Sequence, residues 1–308
     1  MVTNTLITNI PIKQRKKMFL NLNRPTPLEE HTFENISFLL KRDDLISQLF
    51  SGNKARKIDY YWHNFPSHIN TIVSYGSIQS NAMLSLARFA ALKRLNFRYY
   101  ANHIPSYLRE NPHGNLLLAL KEGMELKEGY SNLIINENEL LIKEGIATQE
   151  AYFGVEKLAQ ELIEQVDKGE YQVFLPSGTG TTALFLSKAL QKLGATHFKV
   201  YTTACVGSSE YLREQWQELE SNESYYPIIV ETKKRYHFGR LYREFYQIWL
   251  ELHKATGVEF ELLYDPKGWL AILENREIFT NLLYIHQGGE LGNISMLARY
   301  KRKYGENI

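Results

Sequence analysis

The chain is predicted to be an α/β protein of two domains, each an open, twisted, mostly parallel sheet flanked by helices. Three observations carry this. The 308 residues exceed what a single hydrophobic core usually supports. Short β-rich runs alternate with amphipathic helical stretches, the pattern of parallel strands joined by right-handed crossovers. Two polar, glycine-containing loops stand where a strand hands over to a helix, the place where open α/β sheets bind ligands.

The elements follow in chain order. Residues 70–74, with Thr71, Ile72 and Val73, read as a buried strand, followed by a turn at Gly76 and a helix over 81–93. Residues 97–100 read as a strand and 115–122 as a helix. Over 152–167 the apolar residues Val155, Leu158, Leu162 and Val166 recur at helical spacing, and Gly169 is expected to end that helix. Next come a strand over 171–175, a glycine–threonine loop, a helix over 181–193 and a strand over 197–203. Segments 264–268 and 286–292, each after an apolar run, read as loops. No repeat or flexible linker stands out, so the domains are expected to join through ordered chain.

Composition narrows the function classes. Lys+Arg of 36 against Asp+Glu of 34 leaves a net charge of +2, so nothing draws the whole molecule to nucleic acid or an anionic membrane. The basic runs at 13–17, 233–235 and 299–303 are expected to be solvated faces. The single Cys205 excludes an intrachain disulfide and a cysteine-based zinc site, and fits a reducing cytoplasm. No run approaches the roughly 18 apolar residues of a membrane span. The stretch 1–23 is not expected to be a signal peptide, since no apolar core follows a basic start. The nine histidines show no paired metal-ligand spacing, so no metal is expected. Cys205 and the histidines outside the 286–292 loop are taken as structural.

Four constellations could carry chemistry. In Ser51-Gly52-Asn53-Lys54-Ala55-Arg56-Lys57, Lys54 could become a Schiff-base former if burial or the neighbouring Arg56 and Lys57 lower its pKa. Alone, such a lysine reads as part of a surface helix, and the chemical reading needs support from elsewhere in the chain. In Ser74 through Asn81, the strand-to-helix junction would present free N–H groups to a substrate carboxylate, although Ser80 and Asn81 also suit plain capping. Pro176-Ser177-Gly178-Thr179-Gly180-Thr181-Thr182 is a phosphate cradle by construction. It lacks a Walker lysine. The acid that a dinucleotide fingerprint wants about 20 positions on is missing from Tyr201-Thr202-Thr203-Ala204. Tyr264-Asp265-Pro266-Lys267-Gly268 and His286-Gln287-Gly288-Gly289 complete the set, each read singly as a turn.

Taken in order, these segments resemble the 1-aminocyclopropane-1-carboxylate (ACC) deaminase and D-cysteine desulfhydrase family. Its members are pyridoxal-phosphate (PLP) enzymes of fold type II, like tryptophan synthase β. The resemblance runs from Pro25-Thr26-Pro27-Leu28 to Gly288-Gly289. It passes through Lys41-Arg42-Asp43-Asp44-Leu45, Gly52-Asn53-Lys54, Gln79-Ser80-Asn81, Gly114-Asn115-Leu116-Leu117-Leu118 and Glu144-Gly145. It implies a larger PLP-binding domain of residues 1–56 and 155–308, a smaller inserted domain of residues 57–154, and a homodimer. Lys54 would carry PLP covalently. Asn81 would bond the 3′-oxygen, and Gly178, Thr179, Gly180 and Thr181 would hold the phosphate. Ser80, with Gln79, Asn81 and Gln287, would meet the substrate, and Tyr264 would lie over it. Asp265 would face the ring nitrogen.

Two departures stand out. Ala82 replaces a histidine that many relatives carry after Ser-Asn. An ungapped match keeps Tyr264 and Lys267 but puts Pro266 where glycine is expected, whereas a shifted match aligns Asp265-Pro266 and loses the tyrosine. The activity implied is release of an oxoacid and ammonia from ACC or D-cysteine, with Lys54 as the base. A catalytically idle PLP-binding protein and a nucleotide-phosphate module are the alternatives.

Overall fold

The computed structural model describes residues 10, 11, 13–15, 22–130 and 133–305. Most of the stretch considered above as a signal peptide, together with Lys16 and Lys17, therefore lies outside the described residues.

Two sheets organise the chain. Strands β1 (Leu28–Phe33) and β2 (Ile36–Arg42) form an antiparallel hairpin at one edge of a six-stranded sheet. Helix α1 (Asn53–Asn64) then leads to β3 (Thr71–Tyr75), α2 (Asn81–Lys93), β4 (Asn96–Ala101), α3 (Ser106–Glu110), α4 (Gly114–Lys121), β5 (Met124–Glu128) and β6 (Glu139–Leu141). These strands make a four-stranded, wholly parallel sheet in the order β5-β4-β3-β6. The chain returns through α5 (Ala151–Gln165), β7 (Tyr171–Phe174), α6 (Thr181–Lys192), β8 (Phe198–Thr202), α7 (Ser209–Gln217) and β9 (Ile228–Ile229). It ends with α8 (Arg243–Thr256), α9 (Asp265–Glu274), β10 (Leu282–His286) and α10 (Gly292–Tyr304). The larger sheet runs β1-β2-β10-β7-β8-β9, parallel except for its hairpin edge.

Burial follows the sheets. One apolar cluster, including Ile72, Phe89, Phe97 and Tyr99, fills the smaller sheet and its helices. Two more lie against the larger sheet, one around Val173, Phe185 and Ile285, the other around Leu40, Trp269 and Tyr284. The expected domain boundaries at 56/57 and 154/155 fall inside α1 and α5. These helices touch backbone to backbone: a Cβ on Gly154 would lie 2.0 Å from Arg56 O.

A buried charge network ties the same region. Arg56 grips Asp43 through Nε and Nη2, both at 2.6 Å, and Glu161 through Nη1 and Nη2, both at 2.9 Å. Lys41 reaches Glu161 at 2.8 Å. Burial opposes the charge on Glu161, but Arg56 and Lys41 outweigh it and draw the carboxyl down to about 2.

Three expectations need correction. The helix over 152–167 ends at Gln165, before Gly169, because Val166 already takes an extended backbone. Arg15 is buried against Glu122 at 2.7 Å, so the 13–17 run is not wholly a solvated face. Residues 265–268 open α9 instead of forming a loop; Pro266 sits in its first turn, where the missing N–H costs nothing.

Candidate active site

The ends of both sheets face one cleft of about 530 Å³. Lys54, Gln79, Ser80, Asn81, Gly178, Thr179, Gly180, Thr181, Tyr264, Asp265 and Gln287, each singled out from sequence, all line it.

Lys54 is the second residue of α1 and only part of its side chain is open to the cleft. Its Nζ donates to Asn53 Oδ1 at 2.8 Å. Burial pushes the amine down to about 8, against the opposing charge of Glu261. From sequence, neighbouring cations could take a share in this shift. Arg56 has none, because its guanidinium is turned away and neutralised by Asp43 and Glu161. Gly52 before them has φ +35°, and a Cβ there would lie 1.8 Å from Gln287 O. Only glycine fits.

Lys57 lies one turn along α1, also in the cleft wall, and donates to Gly145 O at 3.0 Å. Burial, then the charge of Lys54, holds its amine well below the usual lysine range. Gly145 abuts the glycine–threonine loop: its Cβ would lie 3.0 Å from Thr179 Cγ2. The loop turns through Gly180 at φ +70° into the N-terminus of α6, and Thr179 and Thr181 hydroxyls meet at 2.9 Å. Gly180 has a packing reason as well, since a Cβ would strike Trp216 Nε1. Two buried amines, backbone N–H groups at a helix start and paired hydroxyls form a donor set suited to an anionic phosphate beside an aldehyde. These residues fit PLP.

The second junction opens α2. Ser80 caps that helix, its Oγ accepting from Ala82 N at 3.1 Å and Met83 N at 3.3 Å. Capping uses the lone pairs of the oxygen, and the Ser80 side chain also hydrogen-bonds the Tyr99 phenol. Asn81 Oδ1 accepts from Asn115 Nδ2 at 2.8 Å, so Asn81 Nδ2 points the other way, toward Gly289. The Gln79 amide is engaged by His113 O and the Leu116 N–H, leaving chiefly its main chain for a ligand.

Opposite stand Tyr264 and Asp265. The Tyr264 ring packs on Phe238, with centroids 5.4 Å apart, and its hydroxyl lies 3.3 Å from where a Gly178 Cβ would be. The ungapped register thus has a tyrosine in the cleft. Asp265 accepts from Tyr284 Oη at 2.6 Å and from Glu261 N at 2.8 Å. Burial raises its carboxyl, with His286 and the Tyr284 hydrogen bond opposing. Asn53, Lys57 and Glu261 also line the cleft and were not assigned site roles from sequence. Glu261 is buried, and its Oε2 accepts from Leu263 N and Tyr264 N. The helical spacing of Lys57 from Lys54 was the available signal for that residue.

Beside the cleft, Asp44, His286 and Glu290 bring ligand atoms within 4.8 Å of one another. Gly288 N donates to His286 Nδ1, Nε2 faces Glu259 O, and Asp44 is bound by Arg42. Both imidazole nitrogens and one carboxylate are therefore already engaged by protein groups.

No family model matches the chain. A Thermotoga maritima protein provisionally named 1-aminocyclopropane-1-carboxylate deaminase is 24% identical, over 90% of this chain and 97% of that protein. The bifunctional D-cysteine desulfhydrase/1-aminocyclopropane-1-carboxylate deaminase of Arabidopsis thaliana is 25% identical, over 87% and 77%. The crystal structure of an ACC deaminase homologue superposes with a TM-score of 0.72 at 19% identity, covering 90% of this chain and 94% of that one. The chain is thus similar along most of its length to proteins named as ACC deaminases and D-cysteine desulfhydrases. Its fold is that of the type II PLP enzymes: cysteine synthase from Entamoeba histolytica matches at a TM-score of 0.65 and 13% identity, over 92% and 90%. These relatives are PLP-dependent enzymes. Among the described residues, no helix is long and apolar enough to cross a membrane.

Proposed function

We propose that this protein is a PLP-dependent enzyme that breaks down a small amino acid in the cytoplasm: ACC to an oxoacid and ammonia, or D-cysteine to an oxoacid, ammonia and hydrogen sulfide. The observation that carries the reading is the shared cleft: a buried lysine amine at about 8, a glycine–threonine loop at one helix start, and a serine–asparagine pair at another. PLP, when bound, supplies an electron sink for the charge left at the amino acid's α-carbon.

The chain's own residues do the rest. Lys54, close to half neutral near pH 8, would be the nucleophile that holds the cofactor and then the group that moves protons. It would take the α-proton of D-cysteine, whereas ACC has no α-hydrogen, so there it would relay protons to or from the carbons of the opening ring. Gly178, Thr179, Gly180 and Thr181, with Lys57, hold the phosphate. The start of α2 and the Ser80 hydroxyl receive the substrate carboxylate, while Asn81 Nδ2 donates to the ring hydroxyl oxygen. Tyr264 would cover the substrate, and Asp265 would meet the ring nitrogen. An acid in that position deepens the sink, which favours ACC, with D-cysteine second.

Purified protein incubated with each substrate tests this. Oxoacid release that disappears in Lys54→Ala is expected. No release from either amino acid above that control would sink the reading.

A further inference from the structure

An unbroken line of side-chain hydrogen bonds runs from the main chain of the glycine–threonine loop to the Lys54 amine. Gln287 Nε2 donates to Pro176 O at 2.7 Å, and Asn53 Nδ2 donates to Gln287 Oε1 at 2.7 Å. Lys54 Nζ donates to Asn53 Oδ1 at 2.8 Å. The far end sets the direction. A peptide carbonyl only accepts, so Gln287 must turn its NH2 to Pro176 and its oxygen to Asn53. Asn53 must then turn its NH2 to Gln287 and its oxygen to the lysine.

Two further contacts stiffen the line. Asn53 Nδ2 also reaches Thr182 Oγ1 at 3.2 Å, in the first turn of α6. In the main chain, Asn53 N donates to Gln287 O at 2.9 Å, the oxygen that a Cβ on Gly52 would strike. The geometry points to Gln287 as a positioning residue that acts through Asn53 to hold the Lys54 amine at a set distance and direction from the phosphate loop. Sequence suggested a substrate contact for Gln287; in the structure it lines the cleft and both ends of its amide bond protein groups.

The line suits an amine that must react. Lysine carries much rotamer freedom, and an oriented acceptor removes it. An amide oxygen does this without the charge of a carboxylate, which would favour the protonated, unreactive form. The inference rests on Lys54 being the PLP attachment point. There the amine adds to the aldehyde carbon, a C=N bond forms and water leaves.

Rapid mixing of full-length, cofactor-stripped protein with PLP tests it. Protein fluorescence reads docking, and visible absorbance reads attachment to Lys54. Gln287→Met is expected to slow attachment roughly tenfold or more, with docking within about twofold of the unaltered protein. Gln287→Glu is nearly isosteric and keeps the acceptor for Asn53 but loses the donor to Pro176; it is expected to slow attachment too, with its thermal midpoint showing that it folds. Attachment at the unaltered rate in either folded variant overturns the inference, as does equal slowing of both phases, which marks a general scaffold role. If the unaltered protein develops no visible band, the PLP reading fails and the inference with it.

Discussion

Asn115 donates from Nδ2 to Asn81 Oδ1 at 2.8 Å, and that bond decides which end of the Asn81 amide faces the cleft. The same NH2 group donates to Gln79 O at 3.0 Å, and Asn115 is 1% exposed, so its own orientation is fixed by two acceptors. Asn115→Leu frees Asn81 to rotate and leaves a buried acceptor unpaired, a loss of about 1–3 kcal/mol. We expect kcat/KM to fall roughly tenfold and the visible band of bound PLP to shift, because the ring hydroxyl oxygen loses a fixed donor. An unaltered band with unaltered kinetics would contradict the placement of Asn81.

Lys57 is expected to act on affinity. Its amine donates to the carbonyl of Gly145, the residue that abuts Thr179, and is deprived of proton affinity by burial and by the Lys54 charge. A docked phosphate reverses that balance. Equilibrium dialysis should show Lys57→Met binding PLP roughly 10- to 100-fold more weakly, the range for a lost charge-assisted hydrogen bond. Calorimetry in two buffers should show proton uptake on docking. Unchanged affinity would remove Lys57 from the cradle.

The lowered pKa of Lys54 predicts a pH profile. Only the neutral amine attacks an aldehyde, and this one is pushed down to about 8. Attachment of PLP, followed by absorbance, should therefore speed up through pH 8 and level off well below 10. A rate still climbing at the ordinary lysine pKa would show that the amine is solvated.

Arg56 belongs to stability. Arg56→Met leaves Asp43 buried without its ion-pair partner and Glu161 with Lys41 alone, at a cost of about 3–5 kcal/mol in denaturant unfolding. The Glu161 carboxyl, held down to about 2 in the folded chain, adds stability that is complete above its ordinary pKa of 4.5. That stability is lost as pH falls from there toward 2, and the slope should flatten in Glu161→Gln. A slope that persists would place the acid sensitivity elsewhere.

How legible all this is from sequence depends on the range of the contacts. The units around 71–93 and 171–192 could be read because a buried strand, a polar junction and an amphipathic helix follow within one short stretch. The β1–β2 hairpin was missed, since its two-residue turn puts Glu34 and Asn35 at φ 50° and 62° without the glycine that usually marks such turns. Asp265-Pro266-Lys267-Gly268 carries turn residues, yet Gly268 is there for packing, its Cβ position 3.2 Å from Phe174, Pro176 and Tyr284 atoms. Arg56 was misjudged because one partner, Glu161, is 105 residues away. Gln287 finds its partners 234 and 111 residues back along the chain, so nothing nearby signalled its role.

Borohydride reduction of the PLP-loaded protein, followed by peptide mass mapping, tests the central claim most directly. The account predicts one phosphopyridoxyl group, on Lys54. A group on Lys57 or another lysine, or no group at all, would contradict it.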